Sequence, residues 1–192
     1  MAAKRKSAKK TASSKSARAS STRARPAASI QQISPCLWFD GQAEEAARFY
    51  ISVFKKGKIT SVTHYPDVGQ DVHHRPAGSV MTVEFVLNGL PFLGLNGGPT
   101  FKFNEAVSLM ILCDTQAEID YYWEKLNEGG DPKAQACGWL KDKYGLSWQV
   151  APTLMRRFLK DPKSKATERA FAAMMEMKKL DIAALEKAYK GR

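Results

Sequence analysis

The first 29 residues contain no acidic side chain and, after Met1, no large apolar one. The chain has no apolar run approaching the roughly 20 residues that a membrane-spanning helix needs. Its N-terminus also has no apolar stretch of the kind a secretory signal carries. These absences predict a cytoplasmic protein with no membrane partner. Cysteine is scarce: Cys36, Cys113 and Cys137 are odd in number and show no CxxC spacing, which argues against a disulfide framework and a zinc ribbon. No Ser/His/Asp triad signature is visible. The Gly97-Gly98 pair follows a predicted hairpin and precedes a proline and two aromatics. It is therefore not the glycine-rich strand-to-helix turn on which a parallel sheet binds a nucleotide-like cofactor.

Residues 1–29 hold nine basic side chains, among them Lys4, Arg5, Lys6, Lys9 and Lys10. Subtracting these nine from the 30 Lys and Arg of the chain leaves 21, against 19 Asp and Glu, so residues 30–192 are close to neutral. Such a segment cannot bury enough surface to offset its ordering entropy and is expected to be disordered. Three readings compete for it: a solvated tail, an arm attracted to nucleic acid by counterion release, and a transit peptide, which would need an apolar face that these residues lack. The remaining 160 or so residues suffice for one domain with its own core.

Order is expected from about residue 30. An apolar strand over 33–39 leads into a helix over 42–54, in which Ala46, Phe49, Tyr50, Val53 and Phe54 recur at helical spacing. A strand over 58–65 is followed by a polar loop over 66–78, and then by strands 79–87 and 90–95 around Asn88-Gly89, a strong hairpin signal. A second strand, 106–113, and a second helix, 115–127, follow, the helix opened by a Thr115/Glu118 capping box. A hairpin over 139–151 supplies at least two more strands. Asp40-x-Gln42-Ala43-Glu44 and Asp114-x-Gln116-Ala117-Glu118 stand at the two strand-to-helix junctions. The repeated order of elements therefore reads as a duplication. Helix formers over 153–159, 164–180 and 181–189 predict a helical C-terminal extension with a Phe171, Met174, Met175, Leu180 stripe, docked on the sheet domain or on a second subunit.

The segments P-C-L-W-F-D-G-Q-A-E-E-A-A-R-F-Y (35–50), L-N-G-G-P-x-F-K-F (95–103) and C-G-W-L-K-D-K-Y-G-L-S-W-Q-V-x-P (137–152) resemble the PhnB-like branch of the vicinal-oxygen-chelate superfamily. That branch is often described as 3-demethylubiquinone 3-methyltransferase; the superfamily includes glyoxalase I, extradiol dioxygenases and the bleomycin and fosfomycin resistance proteins. The resemblance covers about residues 31–190. It implies an α+β fold of paired βαβββ modules, about 30–99 and 104–152, forming a cupped mixed sheet in a domain over 30–152, with the extension at 153–192. It also implies pairing of two subunits.

Superfamily enzymes hold a divalent metal with four side chains. In this sequence those positions fall on Pro35 or Cys36, on Leu93 to Leu95, around Glu105 to Ser108, and on Gln149, where a Glu is the rule. A neutral amide is a weak ligand, so no metal site and no cofactor are expected. His64, His73 and His74, with Asp67 and Asp71, read as solvated loop residues. Strand alternation places Gln149 opposite Trp148 and Val150, on the face the family uses as its cup. Phe39, Asn96, Phe101, Phe103, Trp139, Lys141 and Gln149 are the candidate lining of a small-molecule site. The expected function is small-molecule binding without a metal. The alternatives are a metal-dependent lyase or dioxygenase, the methyltransferase of the family description, and an interaction protein tethered to nucleic acid by its tail.

Overall fold

The computed structural model describes residues 33–192. The basic tail, with Lys4, Arg5, Lys6, Lys9 and Lys10, lies outside the described residues.

Strand β1 (Cys36–Phe39) leads into helix α1 (Ala43–Phe54), followed by β2 (Gly57–His64), a one-turn helix α2 (Gln70–His73), β3 (Val80–Leu87) and β4 (Leu90–Asn96). Helix α2 lies inside the segment expected to be an irregular loop; His73 stacks on Tyr65 with ring centroids 4.5 Å apart. Asn88 and Gly89 both have positive φ, 48° and 88°, as a two-residue hairpin turn matched to strand twist requires. The four strands form one sheet in the order β1-β4-β3-β2, with β1 parallel to β4 and the other pairs antiparallel.

The second module contains β5 (Ser108–Cys113), α3 (Gln116–Asn127), β6 (Trp139–Lys141) and β7 (Ser147–Pro152), in a sheet ordered β5-β7-β6. It repeats the order of the first module without its edge strand. Where a counterpart of β2 would run, Gly129-Gly130 and a 3-10 turn at Pro132–Ala134 carry the chain instead. Gly130 permits this path: a Cβ there would stand 2.1 Å from the Lys141 carbonyl oxygen.

Each module lays its helix on one face of its sheet, and both modules contribute to one core. Ala43, Ala46, Tyr50 and Val53 of α1 pack with Val83, Phe85 and Phe92, while Ile119 and Leu126 of α3 pack with Trp148 and Val150. Rings join the halves, Phe54 lying 5.5 Å from Trp148 and 5.4 Å from Tyr122. The opposite face of the second sheet is left open, with Met110 57% and Leu112 38% exposed.

The extension folds as α4 (Met155–Phe158), α5 (Lys165–Met175) and α6 (Ile182–Lys190) around a separate core of Met155, Phe158, Ala170, Leu180 and Leu185. Helix α5 ends at Met175, short of the expected Leu180, because the following backbone is used elsewhere: the carbonyls of Met177 and Lys178 accept from the amides of Cys137 (2.7 Å) and Gly138 (2.8 Å). Leu180 O accepts from the Gln116 amide at 3.1 Å, and the same side chain accepts from Ile182 N at 2.8 Å. The extension thus docks on the second module of its own chain. Among the described residues no helix is long and apolar enough to cross a membrane.

Candidate functional site

The strand pairing puts Ser108 beside Ser147, Met110 beside Gln149, and Trp139 and Lys141 across from Gln149 and Ser147. Because alternate side chains share a face, Lys141, Ser147, Ser108, Gln149, Trp139 and Met110 all lie on the open side of the second sheet. Gln149 Nε2 donates to Ser108 Oγ at 2.8 Å; one end of the amide is satisfied within the sheet and the other has no partner among the described residues. The Ser147 hydroxyl is buried and likewise without a partner among the described residues. Lys141 forms an ion pair with Glu105 and holds that carboxylate below its ordinary range.

Around Gln149 the open face deepens into a cavity of about 590 Å³. The sheet contributes Met110, Leu112, Trp139 and Gln149 to it, and the extension contributes Met155, Arg156, Leu159, Met174, Met175 and Leu180. Cys137 also lines it, its Sγ 3.7 Å from Met175 Sδ.

The seven expected lining residues fall into three groups. Trp139 and Gln149 line the large cavity. Phe39, Phe101, Phe103 and Lys141 border a separate, smaller groove of about 320 Å³. Phe101 stands edge-on to Trp38 at 4.9 Å, and Phe103 edge-on to Phe39 at 5.4 Å. Phe39 is itself a core residue, 3% exposed. Asn96 lines neither space. Its Oδ1 accepts the Ala43 amide at 2.9 Å, its Nδ2 donates to Val80 O at 3.0 Å, and its own carbonyl accepts from Tyr65 at 2.8 Å. This buried amide closes the start of α1, whose N-cap Gln42 makes no side-chain bond.

Asp142, which has no sequence signal beyond its place in a turn, organises the β6–β7 hairpin. Its Oδ1 accepts from the amides of Tyr144 (2.9 Å) and Leu146 (3.0 Å), and its Oδ2 from Tyr50 Oη and Trp148 Nε1, both at 2.8 Å. Burial pushes this carboxyl above its ordinary value, against the pull of the four donors. The four donors satisfy a buried carboxylate and bind the hairpin to α1.

The residues at the positions where the resemblance implies metal ligands do not make up a four-ligand set. Of the expected positions, Leu93 and Leu95 offer no side-chain donor, Ser108 accepts from Gln149, Glu105 is paired with Lys141, and Cys36 and the neutral Gln149 amide remain. Among the described residues no three His, Cys, Asp or Glu side chains stand together as a metal site. The Gly97-Gly98 turn does not fit adenosylmethionine either. The Trp38 ring fills the space beside Gly97, where a Cβ would come within 2.1 Å of it, and Trp38 Nε1 donates to Gly98 O at 2.8 Å. These glycines admit a tryptophan, leaving no cradle for a nucleoside.

A family model described as 3-demethylubiquinone-9 3-methyltransferase matches residues 31–151, so the extension lies beyond the match. Among solved structures, a PhnB protein from Bacillus cereus, described as a putative 3-demethylubiquinone-9 3-methyltransferase, is 36% identical; the alignment covers 64% of this chain and 100% of that one, with a TM-score of 0.54. A protein from Pseudomonas aeruginosa is 23% identical over 64% of this chain and 97% of its own, with a TM-score of 0.49. A glyoxylase/bleomycin resistance protein/dioxygenase domain from a Frankia species is 15% identical over 65% of this chain and 93% of its own, with a TM-score of 0.41. No curated protein matches. With more than half its length matched, and with the duplicated strand–helix modules described above, this chain belongs to the PhnB-like 3-demethylubiquinone-9 3-methyltransferase family.

Proposed function

We propose that the protein binds a small, largely apolar molecule against the open face of its second sheet, and does so without a metal. The observation that carries this reading is the cavity of about 590 Å³ around Gln149. Its size and lining, apolar walls with few polar groups, suit a small-molecule site. Trp139 offers a flat wall, and the free end of the Gln149 amide offers one hydrogen bond for orientation. The test is ligand-induced stabilisation: compounds that raise the Tm of the native protein should lose most of that effect in Gln149→Leu, whose own Tm stays close to native because the residue is only partly buried. Undiminished shifts in the variant would place binding elsewhere.

The protein is also proposed to act as a homodimer. Strands β1 and β5 each pair on one side only among the described residues, and Val107 and Met110, at and beside β5, are 68% and 57% exposed. Open edges flanked by apolar side chains favour a second chain. Native mass spectrometry should return twice the 21.3 kDa chain mass; a monomer at micromolar concentration would count against pairing.

A second reading is favoured by the concentration of nine of the eleven net positive charges in residues 1–29. In it the tail holds the folded domain near nucleic acid through phosphate contacts that read no sequence.

A further inference from the structure

Of the charged side chains among the described residues, Arg156 alone lines the large cavity. It is an exposed residue of α4 that lines the cavity together with Met155, Leu159 and Met174, and its guanidinium has no ion pair or hydrogen bond among the described residues. Its neighbour Arg157 points elsewhere, its guanidinium lying 5.3 Å from the Phe158 ring. An unpaired guanidinium at the edge of an apolar cavity attracts an anionic group more strongly than it would in open water, because the walls exclude solvent on one side. The family match ends at Ala151, so Arg156 and the methionines that line the cavity with it, Met155, Met174 and Met175, belong to the extension.

We infer that the ligand of this cavity is a small amphiphile, an apolar body carrying one anionic group such as a carboxylate, and that Arg156 selects it. The inference rests on the binding function proposed above and adds the ligand's chemical class. The sheet face supplies apolar area and the Gln149 amide, as the matched part of the chain provides; the extension supplies the closing wall and the charge. Selectivity for an anion is thus a property of residues 153–192.

Decanoate and decanol serve as matched probes, binding being followed by calorimetry on the full chain. In the native protein decanoate should bind roughly three- to tenfold more tightly than decanol, the range a single solvent-accessible charge contact supports. Arg156→Gln should abolish that preference and leave decanol binding unchanged, while Arg157→Gln should preserve it. Met175→Glu, at a position 53% exposed and so tolerant of charge, should weaken both probes. If neither probe binds the native protein, the cavity is not the site and the proposed function fails with it. If both bind equally well, the site stands and the anionic class is overturned. Preference retained in Arg156→Gln, or both probes unaffected by Met175→Glu, would also overturn the inference.

Discussion

At the scale of single residues, two buried polar side chains do structural work that their neighbours in sequence do not reveal. Asn96 closes the N-terminus of α1 from 53 positions away, and Asp142 gathers donors from Tyr50, Trp148 and two amides. Replacing Asp142 by Asn keeps the size but turns one acceptor into a donor that faces existing donors. Asp142→Asn should therefore cost about 2–4 kcal/mol of stability in chemical denaturation; an effect below 1 kcal/mol would mean that the hub contributes little. These roles were illegible because each depends on a partner brought in by the fold. Gln149 was legible as an anomaly, since a lone amide in an apolar strand needs an explanation. Its Ser108 partner emerged only with the parallel register of β5 and β7.

Among elements, α1 is held to the β6–β7 hairpin by a surface link as well as by the core. Tyr144 Oη donates to Glu45 Oε1 at 2.7 Å and Lys143 Nζ approaches the same oxygen at 3.3 Å, holding the glutamate below its ordinary value. A carboxyl whose folded pKa is lowered contributes stability above its unfolded pKa and loses it as pH falls through the folded one. Glu45→Gln should thus lower the Tm at neutral pH, and the difference from native should shrink and vanish as the pH falls through the lowered carboxyl value. A difference that persists in acid would assign the effect to packing. The elements with local signals were read from sequence within a residue or two: the Asn88-Gly89 hairpin, the Thr115 capping box with Glu118, and the periodic stripe of α1. The missing edge strand of the second module and the early end of α5 were not, because both follow from where other backbone runs. The duplicated Asp-x-Gln-Ala-Glu segments do occupy equivalent junctions, yet the first helix borrows its cap from Asn96 while the second supplies its own.

Across the whole molecule, charge and architecture are segregated, with a basic N-terminal segment followed by a nearly neutral folded remainder. If the tail is the tether, removal of residues 1–29 should abolish retention on DNA. Retention of the full chain should fall steeply with salt, by about one power of ten in affinity for every tenfold rise in salt per phosphate neutralised. Equal retention without the tail would move the interaction to the folded domain. The expected site residues divide between a cavity with Trp139 and Gln149, a groove with Phe39, Phe101, Phe103 and Lys141, and the buried cap Asn96, because strand alternation tells which side chains share a face but not where the connecting segment and the extension run.

The separate core of the extension bears on cooperativity. Met155, Phe158, Leu180 and Leu185 form a cluster distinct from the one that unites the two modules, and units with separate cores open with separate free energies. The large cavity lies where the two meet, one wall from each. An occupant would therefore couple two stability domains into one, and the empty protein would be the less cooperative of the two states.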